Sequence, residues 1–213
     1  MKAKGLLFTL LASSMVLGAC SAEVTEAVKA DDEVSQTATS ETVAKEESKQ
    51  GEKKETSKGK RSNPFIIGND EVASMASKYY SNDGETIEYT ATYQFSNPVD
   101  GEEAWEYVQA QNPYNEPAPD GWQWVILDLT FQLVEGGEDE SFMPYINPSS
   151  VKSDGTPSPD GYVTFDGDDF GFPEVYHGGT ATGKVATLFP VDDEDATIKV
   201  SPDGFTDIFF KFK

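Results

Sequence analysis

The stretch WQWVILDLTFQLVE, Trp122 to Glu135, constrains the fold more than any other. Val125, Leu127, Leu129, Phe131 and Leu133 recur at every second position, with Trp124, Ile126, Asp128, Thr130 and Gln132 between them. Successive side chains of an extended strand point to opposite faces, so this spacing is a strand signal; an α-helix would scatter the same residues around its circumference. Ile87, Tyr89, Ala91, Tyr93 and Phe95 alternate in the same way with Glu88, Thr90, Thr92 and Gln94. GKVATLFPV, ATIKVSP and TDIFFKFK read as three more strands, separated by the DDED turn and by PDG. Pro144, Pro148, Pro157, Pro159 and Pro173 argue against long helices in the middle of the chain. Two short helices are predicted. One lies near Asp70–Lys78; the other spans Gly101–Gln111, where Ala104, Val108 and Gln111 fall at i, i+4 and i+7 beside Trp105. The βαβ alternation of a doubly wound fold is absent. Many short strands with turn signals between them predict an all-β sandwich with one or two short helices.

The strand pattern fills residues 63–213, enough for one hydrophobic core, and composition changes sharply before it. Residues 1–19 have the three parts of a secretory signal: Lys2 and Lys4, an apolar run from Leu6 to Leu17, then the small residues Gly18 and Ala19. The apolar run is too short for an ordinary membrane span. Cys20, the single cysteine of the 213 residues, follows at once, which rules out an internal disulfide, a CxxC pair or a cysteine zinc cluster. Leu17-Gly18-Ala19-Cys20 resembles the lipobox of bacterial lipoprotein signal peptides. That resemblance implies cleavage before Cys20 and a diacylglyceryl thioether on its sulfur. Two acyl chains anchor stably where one does so only marginally.

Residues 20–62 contain no aromatic side chain and no sustained apolar face. Such a segment buries too little to offset its ordering entropy and is predicted to be a disordered, lipid-anchored tether. Its ten basic and ten acidic residues, counted with the signal, balance, so the whole formal charge of −22 falls on residues 63–213. A domain this acidic repels nucleic acid and anionic head groups; it reads first as a solvated surface that keeps the domain in solution, with a basic partner or divalent cations as the alternative.

Three longer pieces carry a family resemblance. They are AWEYVQAQNPYNEPAPDGWQWVILDLTFQL, PYINPSSVKSDGTPS and VYHGGTATGKVATLFPVDDEDATIKVSPDGFTDIFFKF. Together, over roughly Glu85 to Phe212, they resemble the immunoglobulin-like domain of unknown function in lipoproteins of Gram-positive bacteria, similar in fold to the mycobacterial immunoprotective (telokin-like) secreted antigen. The resemblance implies an immunoglobulin-like sandwich at the outer face of the cell membrane and no catalytic residues. The immunoglobulin cysteine pair is missing, so strand pattern alone supports it.

Chemistry-bearing patterns are sparse. His177, the only histidine, stands before a Gly-Gly turn without a Gly-x-Ser-x-Gly elbow, and reads as a turn histidine. FDGDDFG offers Asp166, Asp168 and Asp169 as oxygen ligands for calcium, with solvated turn carboxylates as the default reading. Neither it nor DDED fits the EF-hand spacing. Trp105, Tyr114, Trp122 and Trp124 form a candidate aromatic platform for sugar or peptide; the alternative is that they cover an edge of the core. Paired carboxylates for glycoside hydrolysis carry little weight where acids are so abundant. The expectation is a non-enzymatic, membrane-anchored domain that binds protein or cell-envelope components through sandwich-end loops, without nucleic acid and without a cofactor. The alternative is a calcium- or carbohydrate-binding accessory module.

Overall fold

The computed structural model describes residues 23–26, 57–81 and 83–212. The signal segment 1–19 and Cys20 lie outside them. Among the described residues the chain forms nine strands and one helix. They are β1 (Glu23–Glu26), β2 (Phe65–Ile67), β3 (Ala73–Tyr80), β4 (Thr86–Asp100), α1 (Gly101–Gln111), β5 (Trp122–Glu135), β6 (Ser149–Val151), β7 (Thr180–Pro190), β8 (Thr197–Val200) and β9 (Ile208–Phe212). One sheet has the order β1-β3-β4-β5-β7 and the other β2-β9-β8-β6. The protein is an all-β sandwich with one short helix.

The alternating residues form the core as the sequence indicates. Tyr89, Ala91, Tyr93 and Phe95 of β4 and Val125, Leu127, Leu129, Phe131 and Leu133 of β5 are buried on one face. They meet Phe65, Ile198, Val200, Ile208 and Phe210 of the second sheet. Phe95 and Phe210 lock the layers edge-to-face with ring centroids 4.7 Å apart.

A second, smaller core lies on the opposite face of the large sheet. Ala104 and Val108 of α1 pack on Trp124, Ile126, Val163 and Leu188. The helix reaches this face because β4 bulges between Ser96 and Val99. Asn97 takes the left-handed conformation there, at φ 48°, and its side-chain amide donates to Asp128 at 2.8 Å. Asparagine tolerates that conformation better than most residues, and a bulge bends its strand.

Two expectations are corrected. Asp70–Lys78 contributes no helix, because Ala73–Tyr80 is a strand paired along its length with β4. Ala73 and Met75 alternate into the core, and this period of two outweighs the helix-compatible composition. The tether expectation is corrected in two places. Glu23–Glu26 is an edge strand on β3 with Val24 against the core, and the ordered turn Gly59–Asn63 precedes β2.

Candidate aromatic trough

The β7 edge of the large sheet is covered by irregular chain that builds a trough. Residues 168–170 run alongside β7: the Lys184 N–H donates to the Asp168 carbonyl and the Phe170 N–H to the Lys184 carbonyl, both at 2.8 Å. Gly183 permits this approach, since a Cβ there would sit 2.4 Å from the Phe170 Cα. Phe142 and Val175 exchange backbone hydrogen bonds at 2.7 and 2.9 Å. These two bridges fix the loops that carry Tyr145 and Phe172. Their rings stack at 5.9 Å and 17° and stay more than half exposed.

The Asn-Pro-Tyr-Asn turn after α1 builds the other end. Asn112 Oδ1 accepts from the Tyr114 N–H at 2.9 Å. Asn115 clamps two segments: its Nδ2 donates to the Val108 carbonyl at 2.7 Å and the Thr164 carbonyl at 3.0 Å, and its Oδ1 accepts from the Thr164 N–H at 2.9 Å. Gly161 passes so close over Trp124 and Leu188 that a Cβ would meet them at 2.9 and 2.7 Å. Tyr162 follows it and projects outward, 83% exposed. It lines both depressions of the surface: one walled by Tyr145, Pro148, Phe165 and Phe172, the other by Tyr114, Pro117, Pro119 and Asp160. Four exposed aromatic rings thus line two depressions that share Tyr162, with Glu116, Asp160 and Asp169 among the other lining residues; the pair is called the trough below.

Of the four platform residues expected from sequence, Tyr114 belongs to this surface, 90% exposed. The tryptophans do not form a platform. Trp124 is buried, its Nε1–H donating to the Glu116 carbonyl at 3.0 Å. Trp105 and Trp122 are half-buried against the second core, and the Lys152 ammonium covers the Trp122 ring at 4.8 Å. The face of β5 opposite the main core is roofed by α1, which is why its tryptophans are not displayed. Tyr145, Tyr162 and Phe172 carry no periodic signal; each stands next to a turn residue, Pro144, Gly161 and Pro173 respectively, and that adjacency was the available cue.

The three carboxylates expected for calcium do not converge. Asp168 accepts from the Tyr107 hydroxyl, and Asp169 faces the trough. The Asp166 backbone N–H is held by Gln111 Oε1 at 2.9 Å. No group of three or more His, Cys, Asp or Glu residues suited to a metal occurs among the described residues. Beneath the trough, Lys184 Nζ donates to Asp128 at 2.5 Å. Burial works to raise the Asp128 pKa, but Lys184 and Asn97 outweigh it and hold the carboxyl below its usual range. Burial, then the hydrogen bond to Asp168, pushes the Tyr107 phenol well above its usual range. These paired groups restrain one another, and Asp128, Asp168 and Lys184 line a separate depression beside the β4 bulge; no imidazole stands among them. His177 is exposed in the turn whose Gly178 and Gly179 bond Leu133, at the other end of β5 from Trp124.

Comparison with known proteins finds no matching family model, no matching curated protein and no matching solved structure. No helix among the described residues is long and apolar enough to cross a membrane.

Proposed function

We propose that the protein is a non-enzymatic lipoprotein, anchored through Cys20 to the outer face of the cell membrane of a Gram-positive bacterium. It displays an acidic immunoglobulin-like sandwich that binds a protein or cell-envelope component through the aromatic trough. The observation that carries this reading is the trough itself: Tyr114, Tyr145, Tyr162 and Phe172 expose their rings along two depressions that share Tyr162. Exposed apolar surface gathered in this way marks an interaction site, whereas scattered exposed side chains do not. The lipobox resemblance supports the anchor, and the resemblance to immunoglobulin-like lipoprotein domains agrees with a display role.

The carbohydrate reading is favoured by one specific feature, the presence of exposed rings and of Glu116, Asp160 and Asp169 in the same linings. Rings pack against the apolar faces of sugars, and carboxylates accept from their hydroxyls. Binding of the mature full-length chain to purified cell walls, measured by sedimentation, tests both. Each ring contact contributes about 1 kcal/mol, or roughly fivefold in affinity. Tyr162→Ala with Phe172→Ala is therefore expected to weaken binding by more than tenfold while leaving the melting temperature within a few degrees. Unchanged binding in the double variant removes the trough from the account.

A further inference from the structure

The outer edge of β7 keeps one unpaired residue inside the trough. Lys184 stands opposite Asp128 in the β5–β7 ladder, yet its N–H and C=O turn away from β5 and bond Asp168 and Phe170. In an antiparallel pair such outward-pointing residues recur at every second position. The register of β7 on β5 runs without a shift from Thr180 to Pro190, so Ala186, Leu188 and Pro190 point outward as well. Two features fix this phase. The Leu188 carbonyl accepts from Ser150 Oγ at 2.7 Å, outside the ladder. Pro190, which has no N–H to give, stands where a sheet edge tolerates it.

Ala186 lies between the covered positions. The run 168–170 would reach it with one more residue pair, but Gly171 takes the left-handed conformation at φ 56° and the pairing ends at Lys184. Among the described residues neither the N–H nor the C=O of Ala186 has a hydrogen-bond partner. The residue is half-buried and lines the depression walled by Tyr145, Phe165 and Phe172. An unpaired donor and acceptor on a strand edge form a template for a further extended chain.

We infer that the trough takes an extended, basic peptide segment of a partner protein, one residue of which pairs with Ala186 while its neighbours rest on Tyr145, Tyr162 and Phe172. The inference rests on the trough as the binding surface and names its occupant. An extended residue presents its own N–H and C=O on one side, so a single residue satisfies both groups of Ala186. The acetamido group of an amino sugar is one trans amide whose N–H and C=O point in opposite directions, so it satisfies only one of them. The depression measures about 180 Å³, below the roughly 300 Å³ at which pockets for drug-sized ligands begin, and so seats one residue of a longer chain. Main-chain pairing supplies affinity in this mode, and the surrounding pockets supply specificity. Charge sets the sign of the partner. Asp169, Glu116 and Asp160 line the trough, and the lysine among them, Lys184, is tied to Asp128.

The test selects heptapeptides from a random library on the mature chain and measures the tightest by calorimetry. The selected sequences are expected to carry net positive charge. N-methylation scanned along the peptide is expected to weaken binding roughly fivefold at one position and to spare its two neighbours. On binding, the Ala186 amide proton should move downfield in a nitrogen–proton correlation spectrum. Ala186→Pro removes the donor and is expected to weaken the same peptide roughly fivefold, whereas Ala186→Gly, which keeps it, is not. Circular dichroism checks both folds, and the N-methyl scan needs no variant at all. Tyr162→Ala with Phe172→Ala separates the two claims. Peptide binding that this double variant loses, but that no N-methyl group weakens, leaves the trough reading standing and overturns this inference alone. Peptides that bind the double variant unchanged overturn both. A library that enriches no sequence, or only acidic ones, also overturns this inference.

Discussion

Asp203 concentrates more of the structure than any other single carboxylate. Burial works to raise its pKa, but the N–H groups of Thr206 and Phe205 and the hydroxyls of Ser77 and Thr206 outweigh it and hold the group below its ordinary value. Tyr89 lies behind this clamp, and burial, reinforced by the Asp203 charge, pushes its phenol up to about 12. A carboxylate with a depressed folded pKa contributes stability that is complete above the unfolded pKa of about 3.9 and is lost as pH falls through the folded value. Asp203→Asn is therefore expected to melt several degrees below the parent at neutral pH. The difference should shrink steadily below about pH 4 in a pH series of thermal melts. A gap independent of pH would show that the clamp works without the charge. Trp124 illustrates the limit of reading residues one at a time. Its place in the β5 alternation put it on the face away from the main core, and nothing in that local pattern shows that a helix twenty residues earlier folds back over it. Truncating a buried tryptophan typically costs about 3–5 kcal/mol. Trp124→Ala should lower the denaturant midpoint accordingly, whereas Tyr162→Ala, on an exposed ring, should leave it nearly unchanged.

At the level of elements, what was legible follows from periodicity. β4 and β5 announce themselves through long alternations, and α1 through Ala104 and Val108 one turn apart, both buried against the second core. β3 was not legible in the same way. ASMASKYY mixes small, polar and aromatic residues, and only pairing with β4 decides between strand and helix. β1 was invisible because four residues with one half-buried valine carry no period; its order comes from the edge that β3 offers. An exposed edge is a template for any extended segment. β1 is thus held by tertiary pairing alone. Hydrogen exchange should show Val24→Asp raising exchange in Ala73–Ala76 with little change in β5. Equal acceleration in both strands would mean that β1 is integral to the core instead of laid on its rim.

The protein is a small sandwich under strong self-repulsion, with a formal charge of −22 carried by residues 63–213. Among the described residues the ion pairs Lys184–Asp128, Lys58–Glu71 and Lys211–Asp195 are at least partly exposed and individually weak. Raising ionic strength from about 0.01 to 0.15 M shortens the screening length from about 30 to 8 Å, so the melting temperature should rise with salt before levelling off. A fall would place a net attractive field at the surface. The trough reaches toward the Trp124 end of β5 through Tyr114 and Tyr162, away from the Glu135 end. The trough was only partly legible because all four of its rings sit on loops whose meeting depends on the Phe142–Val175 bridge, the bridge to β7 and Asn115. The most direct measurement of the central claim is a resonance-by-resonance titration of the soluble mature chain with solubilised cell-wall fragments. The account expects shifts confined to Tyr114, Tyr145, Tyr162, Phe172 and their immediate neighbours. Shifts centred instead on Tyr80 and Phe205, or no shifts at all at saturating fragment, would contradict it.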